Sequence, residues 1–123
     1  MPRVWVIEDN DLNFELIDYL LAEAGWETAR ARDGGEFDEL LASPSPALAL
    51  LDMNLPDGSG LDLLARLRAH PRHARLPVIA VTAHAMQGDR QKFLDAGCDA
   101  YVAKPIDRRE LFAEMARVQE RVR

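Results

Sequence analysis

An α/β fold with a mostly parallel central sheet is predicted for this chain by three observations. Apolar runs without alternation recur at residues 4–7, 47–51 and 77–81, the pattern of strands buried on both faces. Segments with apolar residues at helical spacing separate them. The runs also stop at charged or hydroxyl residues, at the strand end where open α/β sheets place their ligands.

Residues 4–7 make the first strand, ended by Glu8, Asp9, Asn10 and Asp11. Asn10 or Asp11 caps the following helix, which carries Phe14, Ile17, Leu21 and Ala24 on one face and stops at Gly25. Residues 26–31 alternate weakly, as a strand nearer a sheet edge does. Asp33-Gly34-Gly35 reads as a turn. Phe37, Leu40 and Leu41 mark a short helix closed by Ser43-Pro44-Ser45-Pro46. The third strand, 47–51, runs into Asp52, and Pro56, Gly58 and Gly60 then break regular structure. Leu61, Leu64 and Leu67 form the buried stripe of a third helix, with Arg66 and Arg68 outside and His70-Pro71 at its end. The fourth strand, 77–81, ends at Thr82, and a helix between 84 and 96 is stopped by Gly97. The fifth strand, 98–103, ends at Lys104-Pro105. Asp107 and Glu110 have capping-box spacing, and Leu111, Met115, Val118 and Val122 line the last helix. Five strands alternating with five helices imply a doubly wound sheet, helices on both faces and right-handed crossovers.

The 123 residues fit one domain, 1–123, with 48% apolar and 29% charged residues, a globular composition. A net charge of −6 argues against nucleic-acid binding, which needs a basic surface. The single cysteine, Cys98, excludes an intrachain disulfide and suits a reducing compartment. No apolar run approaches the roughly 20 residues of a membrane span, and acids interrupt the N-terminal run where a signal peptide would need an apolar core. A cytoplasmic location is the expectation.

In a parallel sheet the ends of four strands share one edge, which gathers Glu8, Asp9, Asp52, Thr82 and Lys104 in one crevice. Three carboxylates together repel and raise one another's pKa values. A hard divalent cation such as Mg²⁺ resolves this, takes oxygen ligands and keeps room for a phosphoryl oxygen. Cation, lysine and hydroxyl together suit the charge of a phosphoryl group in transfer, and Asp52 is the natural attacking group. Read alone, Asp52 also serves as a loop or helix cap, Thr82 as a strand-end residue and Tyr101 as strand packing. Lys104 stands out because only it and Lys92 are lysines among 15 basic residues. Cys98 reads as a small buried hydrophobe, and Phe93, Met86 and Met115 as packing. His70 and His73, in a proline-bounded polar loop, read as solvated, and His84 as a surface residue near the site.

In motif order and spacing the chain resembles the response-regulator receiver domains of two-component signalling. The motifs are Val-Ile-Glu-Asp-Asn, Leu-Leu-Asp-Met-Asn-Leu-Pro, Val-Thr-Ala and Tyr-Val-Ala-Lys-Pro. The resemblance implies a flavodoxin-like sheet of order 2-1-3-4-5. It implies that Asp52 accepts a phosphoryl group from a histidine kinase or histidine phosphotransfer protein, beside Mg²⁺. Glu8 and Asp9 match the metal-binding acidic pair, with Asp9 the expected direct ligand. Asn54 matches the position whose carbonyl faces the metal and whose side chain lies near the attacking water. Thr82 and Lys104 match the hydroxyl and lysine of the family, and Tyr101 its aromatic switch. The Lys104–Pro105 bond matches a cis peptide and Gly60 a loop glycine, while Ser59 replaces a frequent Asp. The stand-alone, single-domain DivK type is the most similar branch, and a receiver cut from a hybrid kinase is the alternative. With the final helix reaching Arg123, output is expected through protein partners on the face of the fourth helix, fifth strand and fifth helix. The expected role is a switch and not a turnover enzyme. An Asp-nucleophile phosphatase would want a second acid where Asn54 stands, and a flavin carrier a phosphate loop where residues 8–11 place acids.

Overall fold

The computed structural model describes residues 2–55, 60–83 and 87–121, with the backbone alone for 87–89 and 121. Pro56, Gly58, Ser59, His84, Met86 and Val122 therefore lie outside the described residues. Elements follow in the order β1 (Arg3–Ile7), α1 (Asp11–Glu23), β2 (Glu27–Ala31), α2 (Gly34–Leu41) and β3 (Leu48–Asp52). The second half continues with α3 (Gly60–Ala69), β4 (Val78–Thr82), α4 (Gln87–Ala96), β5 (Ala100–Ala103) and α5 (Arg108–Arg121). The strands pair in the order β2-β1-β3-β4-β5, and every pair is parallel.

Each central strand sends successive side chains to opposite layers. Val4 and Val6 pack with Ile17 and Leu21 of α1 and Leu111, Met115 and Val118 of α5. Trp5 and Ile7 join Phe37, Leu64, Leu67 and Phe93 on the other side. Both layers are filled, so β1, β3 and β4 have no polar face, which is why their sequences do not alternate.

The caps follow local chemistry. Asn10 Oδ1 accepts the Asn13 N–H at 2.9 Å, and Asp107 Oδ1 the Glu110 N–H at 3.1 Å. Asp33-Gly34-Gly35 is not a free turn. Asp33 caps α2 by accepting the Glu36 N–H at 2.9 Å, and the Glu36 carboxylate returns to the Arg32 N–H at 2.8 Å. This reciprocal capping places both glycines in the first turn of the helix. Gly25 and Gly97 end α1 and α4 with φ of 87° and 117°, which only glycine adopts cheaply. The buried stripe of α3 is Gly60, Leu63, Leu64 and Leu67, with Leu61 only half-buried. On α1, Leu20 is buried and Ala24 is exposed at the cap, because the helix ends at Glu23. The fifth strand is shorter than expected, since Cys98 and Asp99 precede the ladder.

Arg68 also departs from its sequence reading. Its guanidinium is mostly covered and donates to the carbonyls of Gly97, Ala74 and Leu76 at 2.7, 3.1 and 2.6 Å. It pairs with Asp99 at 3.1 Å, and Asp99 also accepts the Val78 N–H. Carbonyls before β4 and after α4 need a donor here, and an arginine fork reaches several at once.

Candidate functional site

The register of the parallel strands brings their charged ends together. Ile7 pairs with Leu51, Asp52 with Val81 and Thr82 with Ala103, so Glu8, Asp9, Asp52, Thr82 and Lys104 emerge at one edge. One carboxylate oxygen from each of Glu8, Asp9 and Asp52 lies within 4.8 Å of the others. Glu8 and Asp52 are buried and Asp9 is exposed. Lys104 Nζ sits between the buried pair, 3.0 Å from Glu8 Oε1 and 3.2 Å from Asp52 Oδ2. Its backbone N–H binds the Thr82 carbonyl at 2.8 Å, and the Lys104–Pro105 peptide is cis.

Burial, then hydrogen bonding to Asp52, drives the Glu8 carboxyl up to about 7. Burial works against the charge of Lys104, but the hydrogen bond to Glu8 and the charges of Asp52 and Glu8 outweigh it and raise its pKa. Glu8 Oε1 is buried and receives no aligned hydrogen bond among the described residues, although the Lys104 ammonium stands close. A buried carboxylate oxygen held only by an ammonium shared with a second carboxylate is under-satisfied. Beside two more acids it forms an all-oxygen donor set that fits a hard divalent cation such as Mg²⁺.

Asn54 connects the ends of β3 and β4. Its N–H donates to Asp52 Oδ1 at 2.9 Å, and its own Oδ1 accepts from the Thr82 hydroxyl at 3.3 Å and the Ala83 N–H at 3.1 Å. In this arrangement the side chain bridges two strand ends. Tyr101 is half-buried on β5 and stacks on Phe93 of α4, with ring centroids 6.0 Å apart. Gly60 has a steric reason: a Cβ there would lie 2.6 Å from the Asp52 carbonyl oxygen and 2.7 Å from Met53 Cα.

His73 is not solvated. It is buried, with Nε2 2.9 Å from the Leu41 carbonyl, Nδ1 2.6 Å from Ser45 Oγ and its ring edge-on to Trp5 at 4.9 Å. A carbonyl only accepts, so Nε2 donates to Leu41, while Nδ1 meets the Ser45 hydroxyl, which also reaches the Arg72 carbonyl at 3.0 Å. His70 lies half-buried against it, centroids 4.6 Å apart. The loop buries this ring because α2 and the chain before β3 present matched polar groups, which its own composition does not reveal. Cys98 is buried, and burial pushes its thiol up to about 12. Sequence reasoning also passed over Arg30, whose guanidinium reaches the backbone of the acidic pair. The alternation Ala29-Arg30-Ala31-Arg32 was its one signal.

The model of the response regulator receiver domain family matches residues 4–116. The polar-differentiation response regulator DivK of Brucella anthropi is 43% identical over 107 residues, covering 86% of this chain and 87% of that protein. DivK of Brucella ovis is 43% identical over 103 residues, covering 84% of each. Among solved structures, the receiver domain of the sensor histidine kinase PA1611 from Pseudomonas aeruginosa, with magnesium in its active-site cleft, superimposes with a TM-score of 0.87. It is 32% identical and covers 97% of this chain and 98% of that one. The Francisella response regulator 1452 receiver domain gives a TM-score of 0.88 at 27% identity, covering 100% of both chains.

Proposed function

Since the chain belongs to the response regulator receiver domain family, a family of signalling switches, we propose that Asp52 accepts a phosphoryl group from a phosphohistidine on a kinase or phosphotransfer protein. The observation that carries this reading is a buried Asp52 sharing Lys104 with Glu8 inside a three-acid cluster. An Asp52 oxygen attacks phosphorus, the donor P–N bond breaks, and its electron pair returns to the imidazole nitrogen. Glu8, Asp9, Asp52 and the Asn54 carbonyl are the residues to hold Mg²⁺, which when bound supplies positive charge to the phosphoryl oxygens. Lys104 neutralises further charge, and the Thr82 hydroxyl offers a hydrogen bond.

Phosphorylation then favours the arrangement in which Thr82 exchanges Asn54 for the phosphoryl group and Tyr101 follows. Output runs through partner proteins on the face of α4, β5 and α5. The phosphohistidine donor docks on α1, where Leu12, Leu16 and Tyr19 stay 76%, 43% and 61% exposed at helical spacing, beginning beside the acidic pair. A cytoplasmic setting belongs to this reading, and among the described residues no helix is long and apolar enough to cross a membrane. The PA1611 receiver belongs to a sensor kinase, which supports a second reading, a receiver carried by a larger kinase, with the same chemistry at Asp52.

The test is intact mass after incubation with Mg²⁺ and acetyl phosphate. One phosphoryl adduct is expected, absent in Asp52→Asn and without Mg²⁺. A folded wild type that binds Mg²⁺ and gains no adduct overturns the proposal, and release of many phosphates per protein would make the chain a phosphatase instead.

A further inference from the structure

Arg30 occupies an unusual place for an edge-strand arginine. Its side chain is only 14% exposed, although β2 pairs on one side alone. Nε donates to the Glu8 carbonyl at 3.1 Å and Nη2 to the Asp9 carbonyl at 3.3 Å. Nη2 also lies 2.8 Å from Asp11 Oδ1, and the guanidinium stacks over the Phe14 ring at 4.5 Å. Four restraints fix the fork, and two of them end on the backbone of the acidic pair.

The choice of acceptors matters. An arginine beside three clustered carboxylates would ordinarily pair with one of them and compete with a cation for its oxygens. This one is held by Asp11 and Phe14, on the first turn of α1, and donates to main-chain carbonyls. The Glu8 side chain adds a bond of its own, accepting the Asn10 N–H at 3.2 Å, and the Glu8 N–H binds the Ala31 carbonyl at 3.0 Å. Arg30 thereby completes the fixing of the 8–10 backbone without occupying the cluster. This matters most for Asp9, whose carboxylate is exposed and takes its position from the main chain beneath it.

We propose that Arg30 is the positioning residue of the cation site: it sets where the Glu8 and Asp9 carboxylates stand, and so sets divalent-cation affinity and not the reactivity of Asp52. The inference rests on the cation site proposed above. Its sign is distinctive. As a mere positive charge nearby, Arg30 would repel the cation, and its removal would tighten binding. As a positioning residue, its removal weakens binding, as loss of outer-shell partners of metal ligands does, by about 10- to 100-fold.

The experiment is calorimetric titration of the full chain with Mg²⁺ at constant ionic strength, for wild type, Arg30→Gln and Arg30→Lys, beside amide hydrogen exchange of residues 8–10 in metal-free protein. Arg30→Gln is expected to weaken Mg²⁺ about tenfold and to speed exchange at these amides, with Arg30→Lys between it and wild type. In acetyl phosphate labelling, the Mg²⁺ concentration for half-maximal rate should rise by the same factor while the rate at saturating Mg²⁺ is kept. Unchanged or tighter Mg²⁺ binding in Arg30→Gln overturns the proposal. If Arg30→Gln fails to fold, Arg30→Lys decides: at least threefold weakening supports the proposal and wild-type affinity overturns it. Failure of wild type itself to bind Mg²⁺ would instead remove the cation site, a separate outcome.

Discussion

At the amino edge of the sheet, His73 has a partner for each ring nitrogen, and the Arg68 guanidinium is shared among carbonyls and Asp99. At the carboxyl edge, Glu8 and Asp52 are as buried as His73, yet they crowd like charge around one ammonium, and among the described residues Glu8 Oε1 has no aligned donor. Burial is the same for His73, Glu8 and Asp52, and satisfaction is not. A matched buried network holds a fold in place, while an unmatched one keeps capacity for something that arrives later. Asp52 and His73 are both strongly buried polar side chains, and their partners, not their burial, tell the chemistry from the scaffold.

The largest effect expected from this contrast is on chemistry. Lys104→Met removes the ammonium between two buried carboxylates and should slow Mg²⁺-dependent phosphorylation by acetyl phosphate about 100-fold, as loss of a charge-stabilising donor does. Rapid-quench mass measurement reads it, and a rate within threefold of wild type would erase the distinction between the edges. Next comes His73→Ala at the other edge. It opens a cavity beside Trp5 and leaves the Leu41 carbonyl without its side-chain donor, at a cost of about 2 kcal/mol. Thermal unfolding should shift down by roughly 8 °C, with phosphorylation at 20 °C unchanged within twofold. A stable variant with impaired phosphorylation would mean that the amino edge serves the site.

The smallest effect is a pH dependence. The Glu8 carboxyl is raised from 4.5 to about 7 in the folded protein. Its folded state holds the proton more tightly than the unfolded chain. The contribution to stability is therefore full below pH 4.5 and lost as pH rises through about 7. A bound cation reverses that loss by pairing the ionised form. The rise in Tm on adding Mg²⁺ should then be several degrees larger at pH 8 than at pH 5.5, and should become nearly independent of pH in Glu8→Gln. An equal rise at both pH values in wild type would show that Glu8 does not titrate with the cation.

The contrast also explains what could be read from the sequence. Unbroken apolar runs located β1, β3 and β4, because both faces of a central parallel strand are covered, and the acids and the threonine that ended them marked the edge. The strand order rested on family resemblance, since periodicity alone does not rank strands. The grouping of Glu8, Asp9, Asp52, Thr82 and Lys104 was legible because each ends a strand or follows one within two residues. His73, Arg68 and Arg30 were not, because much of what holds them is backbone carbonyls, which every residue carries. Asp33-Gly34-Gly35 looked like a turn for a related reason, as the Glu36 carboxylate that makes it a helix start acts through a main-chain N–H.

Gly60 and Arg68 belong to one helix, and together they make it a strut. The first residue of α3 rests on the Asp52 carbonyl with no room for a methyl group, and its last turn is fastened to carbonyls flanking β4 and α4. A rod of ten residues, about 15 Å long, is thus seated at both ends. A helix so braced gives the main chain at Asp52 and Met53 and the carbonyls flanking β4 one common support, so the two edges of the sheet are tied through a single rigid element.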